Sequence, residues 1–224
     1  MNQFVIPDDG HREKSARQDQ RGDFGATAIF VFSPDWKEVV TLYGSRFKNR
    51  KVPSGGIEER DFTSARSTIH AAALNGALRE LREETSIGEE QLSIVAKAGI
   101  EDVIRGNMMR YYHIAIAKTR FEITPFRSKE DGKDHHVEQQ RWEPVKNVIC
   151  VSSHEGEAYN TLYGIALVRI LKEMQEQGFT QDADFREMLI DLAYAGINLD
   201  EQLELLEARR TREDDERRQR RFHS

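Results

Sequence analysis

Cysteine is almost missing from this chain of 224 residues: Cys150 is the single one. One thiol cannot close an internal disulfide, so a small secreted scaffold held by bridges is excluded and a reducing compartment is expected. Long apolar runs are missing too, and nothing approaches the roughly 20 residues that a membrane span needs. The first residues, MNQFVIPDDGHREK, lack the basic-then-apolar layout of a secretion signal. Together these absences set the expectation of a soluble, cytoplasmic protein without a membrane partner. An excess of positive charge is also missing. With 33 basic against 39 acidic residues the net charge is −6, so bulk attraction to nucleic acid is not expected. There is no internal repeat. A chain of this length can bury a core without metal or disulfide staples and suits one catalytic-size domain with appendages, or at most two small domains.

What is present falls into two halves. Residues 1–22 are polar and read as a loose arm. Phe24–Ser33 is apolar and rich in β-branched and aromatic residues, which predicts a strand. Ser33-Pro34-Asp35 is a turn signal, Lys37–Phe47 the returning strand, and a short third strand ends at Val52, broken by Pro53-Ser54-Gly55-Gly56. Ser64–Thr85 has helix composition, with Ala73, Leu74, Ala77, Leu78 and Leu81 forming a buried stripe. Two β-rich runs follow, Leu92–Ile104 and Met109–Phe121, with a hairpin turn at Arg105-Gly106-Asn107. Residues 127–136 read as a charged loop, and Val137–Val145 as another strand. From Tyr159 to Gln177 the pattern becomes an amphipathic helix stopped by Gly178, and Phe185–Ala195 and Leu199–Arg221 continue as helices. A mixed sheet with one embedded helix and a helical tail predicts an α+β fold or an α/β sandwich.

The chemistry is concentrated in Gly55–Gly88. Arg79-Glu80-Leu81-Arg82-Glu83-Glu84 sets carboxylates at i, i+3 and i+4, which share one helical face. Like charges placed so closely repel unless a cation compensates them. Mg2+ prefers carboxylate and water oxygens, and such an ion can polarise a phosphoryl oxygen. A glycine-rich turn before the helix lets backbone N–H groups approach phosphate. The plain alternative is a solvated helix face on which Arg79 and Arg82 pair with the glutamates.

The context favours the first reading. Gly55, five residues, Asp61, and later Arg79-Glu80-Leu81-Arg82-Glu83-Glu84-Thr85-Ser86-Ile87 resemble the Nudix box, and Pro53-Ser54-Gly55-Gly56-Ile57-Glu58 resembles the segment that precedes it in that family. Three departures stand out. Asp61 replaces a glutamate, Ser86 replaces a glycine, and 17 residues (62–78) separate Asp61 from Arg79 where the family has seven. The insertion, placed at Phe62–Ala71, predicts an enlarged loop or an added helical turn. The resemblance implies a Nudix-type α/β/α sandwich with a mixed sheet, spanning 23–178, with 179–224 as a helical, charged C-terminal extension. It implies hydrolysis of a diphosphate linkage with Mg2+ or Mn2+. Carried over by position, Glu80, Glu83, Glu84 and Gly55 are the metal-binding candidates, Glu83 and Glu84 also catalytic candidates, and Arg79 the residue that orients the carboxylates. Glu138, ahead of Trp142, corresponds to an additional ligand or water-activating base, its alternative being a surface carboxylate.

Arg46, Lys48, Arg50 and Lys51 precede the glycine turn and are candidates for holding a polyphosphate. The alternative is an edge strand whose cations guard against aggregation. Arg105, Arg110, Tyr111, Tyr112 and His113 offer further basic and aromatic groups, the tyrosines either stacking on a base or packing. From Arg21 to about Leu171 the chain is similar to the diphosphoinositol polyphosphate phosphohydrolase branch. That similarity implies inositol pyrophosphates or dinucleoside polyphosphates as small-molecule substrates. ADP-ribose or nucleotide-sugar hydrolysis, RNA 5′-end pyrophosphohydrolysis and a non-catalytic binding module remain open. In the C-terminal extension, Leu199, Leu203 and Leu206 form a stripe for the domain or for a second copy, as a homodimer. The last 18 residues hold seven arginines and five acids; they read as a solvated helix, or else as the one place where RNA would bind. His135, His136 and His154 read as loop residues, and Cys150 as buried.

Overall fold

The computed structural model describes residues 24–44, 49–64, 66–104, 108–123, 127–130, 133–150, 158–159 and 161–222. The N-terminal arm, Arg46, Lys48, the Arg105-Gly106-Asn107 turn and His154 lie outside the described residues. The central strand β1 (Ala26–Phe32) is buried along its whole length. It lies parallel to β6 (Met108–Ala117), in register from Ala26 opposite Arg110 to Phe32 opposite Ile116. Its other edge is shared. The first half takes β4 (Ser54–Gly56), and the far end meets β2 (Glu38–Gly44) only at Phe32 opposite Val39. With β5 (Leu92–Ile104), β7 (Arg127–Glu130) and β8 (Lys133–Pro144) the sheet runs β5-β6-β1-β2-β8-β7. A small second sheet joins β3 (Asn49–Arg50) to β9 (Ala158–Tyr159).

A strand buried on both faces sends alternate side chains into two cores. Ile29 and Val31 pack with Ala77 and Leu81 of α1 (Ile69–Thr85). Ala28, Phe30 and Phe32 pack with Ile165, Val168 and Leu171 of α3 (Thr161–Glu176). The result is the expected α/β/α sandwich with a mixed sheet. The helices α4 (Ala183–Tyr194) and α5 (Leu199–Phe222) bury Phe185, Met188, Leu192 and Leu206 in the α3-side core. The stripe Leu199, Leu203 and Leu206 thus packs on the domain. Trp36 takes a left-handed φ of 62° in the β1–β2 turn, and its ring packs against Phe32 (centroids 4.9 Å apart) and Phe185 (5.2 Å). Among the described residues no helix is long and apolar enough to cross a membrane.

Four expectations are corrected. Ser54–Gly56, expected only to break a strand, is itself β4, because its backbone completes the ladder that β1 leaves open beside β2. In the charged stretch expected as loop, 127–130 and 133–136 are strand, β7 pairing with the start of β8 from Arg127 opposite His136 to Glu130 opposite Lys133. A short helix α2 (Val145–Ile149) follows Pro144, burying Val145, Val148 and Ile149. Cys150, at the end of α2, is half-buried rather than buried.

Candidate functional site

The site is assembled where the β4 turn meets α1. This helix starts later than composition predicts, at Ile69, because Thr68 caps it by accepting the Ala71 N–H at 3.2 Å. Within the insertion placed at Phe62–Ala71, residues 62–64 and 66–68 lie outside helix and strand, after a 3-10 turn at Glu59–Asp61, and Ile69–Ala71 form the start of α1. At the other end Ser86 holds φ 61° and donates its N–H to the Arg82 carbonyl at 2.9 Å. The left-handed conformation that glycine favours is thus kept, at a cost on the order of 1 kcal/mol for a residue with a Cβ.

Seventeen intervening residues do not keep Asp61 from α1. Its carboxylate is buried and accepts Arg79 Nε at 3.0 Å, Arg79 Nη2 at 3.3 Å and the Glu58 N–H at 2.8 Å. Asn75 Nδ2 donates to the Asp61 carbonyl at 2.8 Å. Gly76 makes the approach possible, since a Cβ there would lie 2.8 Å from Asp61 Oδ2. Asn75-Gly76, a breaker pair in mid-helix, is the sequence signal that could have exposed this docking.

Arg79 gathers the rest. Its Nη1 donates to Glu80 Oε1 at 2.8 Å and Glu83 Oε2 at 3.0 Å, and its Nη2 donates to the Gly56 carbonyl at 2.8 Å. One guanidinium so ties the β4 turn, the 3-10 turn that ends at Asp61 and two of the three helix carboxylates. Burial works against its charge, but Asp61 and Glu80 outweigh burial and raise its pKa. Glu80 lies against Gly55, where a Cβ would stand 2.0 Å from Glu80 Oε1. Glu84 accepts the Ser54 N–H at 3.1 Å and pairs with Lys51 Nζ. Burial likewise opposes the Lys51 charge, while Glu84, with Tyr163 and Glu80, raises its pKa above the ordinary lysine value. Gln140 Nε2, on β8, donates to the Glu84 carbonyl at 2.8 Å.

The other candidates are placed as follows. Arg50 is fully buried, with its guanidinium 5.7 Å from the Tyr43 ring centroid. Tyr111 and Tyr112 are buried, which matches packing rather than stacking on a ligand. Glu138 falls at an irregularity of β8: Val137 opposes Gly44 and Gln139 opposes Tyr43, leaving Glu138 as the extra residue. Bulges of this kind recur beside active sites. Among the described residues no group of three or more His, Cys, Asp or Glu is arranged to hold a metal ion. The helix carboxylates face their own cations instead, Glu80 and Glu83 facing Arg79 and Glu84 facing Lys51. The donor set nonetheless suits a hard divalent ion, being all oxygen and crowded within one turn beside the Gly55 cradle.

No protein-family model and no curated protein matches the chain. Solved structures of similar shape include an Ap4A hydrolase of C. elegans (16% identity, 67% of this chain and 98% of that one, TM-score 0.48). A Nudix hydrolase of M. smegmatis, RenU, has 17% identity over 69% of this chain and 86% of its own, with a TM-score of 0.42. The dihydroneopterin triphosphate pyrophosphohydrolase of E. coli has 14% identity over 66% and 94%, with a TM-score of 0.45.

The crowding of carboxylates has a measurable consequence. Burial, then Glu84 and Glu83, push the Glu80 pKa up to about 7 against the pull of Arg79. A carboxyl whose pKa rises on folding favours the folded state most below its ordinary value near 4.5, and that contribution is lost as pH rises through about 7. In EDTA, Glu80→Gln should therefore gain stability relative to the wild-type protein between pH 5 and pH 7, read by urea unfolding. A difference that does not change with pH would show that Glu80 is ionised throughout.

Proposed function

We propose that the chain is a Nudix hydrolase that cleaves a diphosphate bond in a nucleoside diphosphate linked to another moiety, or in a related polyphosphate. The observation that carries this reading is the Arg79 network, in which Asp61, Gly56, Glu80 and Glu83 converge on one guanidinium. Both halves of the motif thereby come together despite the insertion. Glu80, Glu83, Glu84 and the Gly55 backbone are the groups that would hold Mg2+ or Mn2+. The bound ion would polarise a phosphoryl oxygen and lower the pKa of a water. Arg79 positions Glu80 and Glu83, and its planar fork serves several acceptors where lysine would serve fewer. Lys51, beside Glu84, is the candidate for sharing a phosphate oxygen with the site. Glu138, at its bulge, is the candidate for water activation or for an additional ligand.

Among substrates we favour dinucleoside polyphosphates or inositol pyrophosphates, on the strength of Lys51 beside Glu84 and of Arg46 and Lys48 shortly before it in the sequence; Arg50, buried against Tyr43, is not counted among them. A second reading, a module that binds such a ligand without turnover, is favoured by the Lys51–Glu84 pair, which occupies a carboxylate the reaction needs. A substrate panel separates the two. Diadenosine tetraphosphate, an inositol pyrophosphate, ADP-ribose and a 5′-triphosphorylated RNA are incubated with Mg2+ or with EDTA, and the products are identified by mass. Cleavage of either of the first two with Mg2+ alone is expected. Cleavage confined to ADP-ribose or to the RNA would move the substrate class, and saturable binding without products would establish the module.

A further inference from the structure

Glu84 depends on a support that lies outside the motif. Its Oε2 accepts the N–H of Ser54, and Ser54 sits on a strand of three residues whose ladder partner is the start of β1. A strand so short and paired along one edge holds its residues weakly. The Ser54 side chain supplies a second fixing point: its Oγ lies 2.7 Å from the Tyr163 hydroxyl, and either oxygen can donate. Tyr163 belongs to the first turn of α3 and is buried.

The phenol is itself fixed on several sides. Its ring meets Tyr112 edge-on at 6.4 Å, and the Arg110 guanidinium stands 5.5 Å from its centroid. The next residue, Gly164, lets other elements close on the turn, since a Cβ there would stand 3.1 Å from the Val148 carbonyl and 3.2 Å from Leu206 of α5. Thr161, the first residue of α3, donates its hydroxyl to Glu213 Oε1 at 2.9 Å, and Arg209 Nε donates to the same oxygen at 2.9 Å. The C-terminal helix therefore clamps the turn that carries Tyr163.

We propose that Tyr163 is a positioning residue: through the Ser54 side chain it holds the Ser54 amide in place against Glu84, and α5 keeps that turn in register. The consequence for turnover rests on the hydrolase reading above; the consequence for the Ser54 amide does not.

Two variants test it, each removing one oxygen of the link. Tyr163→Phe keeps the ring and its contacts, and Ser54→Ala keeps the backbone. In metal-free protein, hydrogen exchange followed by NMR should show the Ser54 amide exchanging about fivefold faster in Tyr163→Phe, the effect of losing one neutral hydrogen bond. The Phe30 amide in the middle of β1 should be unchanged. In steady-state assays with Mg2+ both variants should lower kcat several-fold with KM unchanged, and the double variant should match either single one, because the two oxygens form one link. Unchanged Ser54 exchange in Tyr163→Phe, or losses that add in the double variant, would overturn the proposal. Should Tyr163→Phe loosen β1 as well, the turnover and KM of Ser54→Ala decide the question. If wild type cleaves no diphosphate, the hydrolase reading falls while the exchange measurement still decides this one.

Discussion

Glu84→Gln is expected to lower kcat on a diphosphate substrate by about 10²–10⁴-fold, the range over which a positioned acid–base group contributes. Glutamine has nearly the same shape and can still accept the Ser54 N–H that Glu84 accepts at 3.1 Å. The fold should therefore survive, and the lost charge is what the assay reads. Lys51 would at the same time lose the carboxylate that sustains its partly buried ammonium, so a change in KM should accompany the change in kcat. Steady-state kinetics over a Mg2+ titration, alongside circular dichroism to confirm folding, checks both. Turnover equal to wild type would remove Glu84 from the site and leave the Lys51–Glu84 pair as a structural contact.

Arg79→Ala is expected to have the largest effect on stability, a loss of about 3–5 kcal/mol, as found when one partner of a buried ion pair is removed. The reason lies in what stays behind. The Asp61 side chain is only 3% exposed and the Glu80 side chain 12%, so neither carboxylate can recover its hydration when the guanidinium is gone. Arg79→Lys should fall between, since an ammonium cannot reproduce the planar fork that serves Asp61, Glu80, Glu83 and the Gly56 carbonyl together. Asp61→Asn with Arg79→Ala should cost less than the two losses added, because each single change strands the other group. Urea unfolding in EDTA measures all four proteins. A loss below about 1 kcal/mol for Arg79→Ala would place the network among solvent-screened surface pairs.

Local pattern predicted much of the framework. β5 has the same limits in pattern and structure, Leu92–Ile104, because strand composition there is bounded by clear turn residues. The helices at 161–176, 183–194 and 199–222 follow from their periodicity and from Gly178, which takes φ 87° after α3. Where pattern misled, a competing force prevailed. Charge at 127–136 suggested loop, yet a ladder is made by backbone groups whatever side chains they carry, and β7 and β8 pair there. Glycine content at 54–56 suggested a break, yet β1 had unpaired backbone to complete.

Sequence alone thus decided the carboxylate spacing on α1, the strand that crosses the core and the helical tail, since each depends on residues within a few positions of one another. Tertiary structure alone decided that Asp61 reaches Arg79 across the insertion, that Lys51 is drawn to Glu84, and that Tyr163 meets Ser54 from 109 positions away. A repeat of 3.6 or 2 residues says which face of an element is apolar, but not which element that face will meet. That choice is made only when the layers close on β1 and buried charges must find partners within reach.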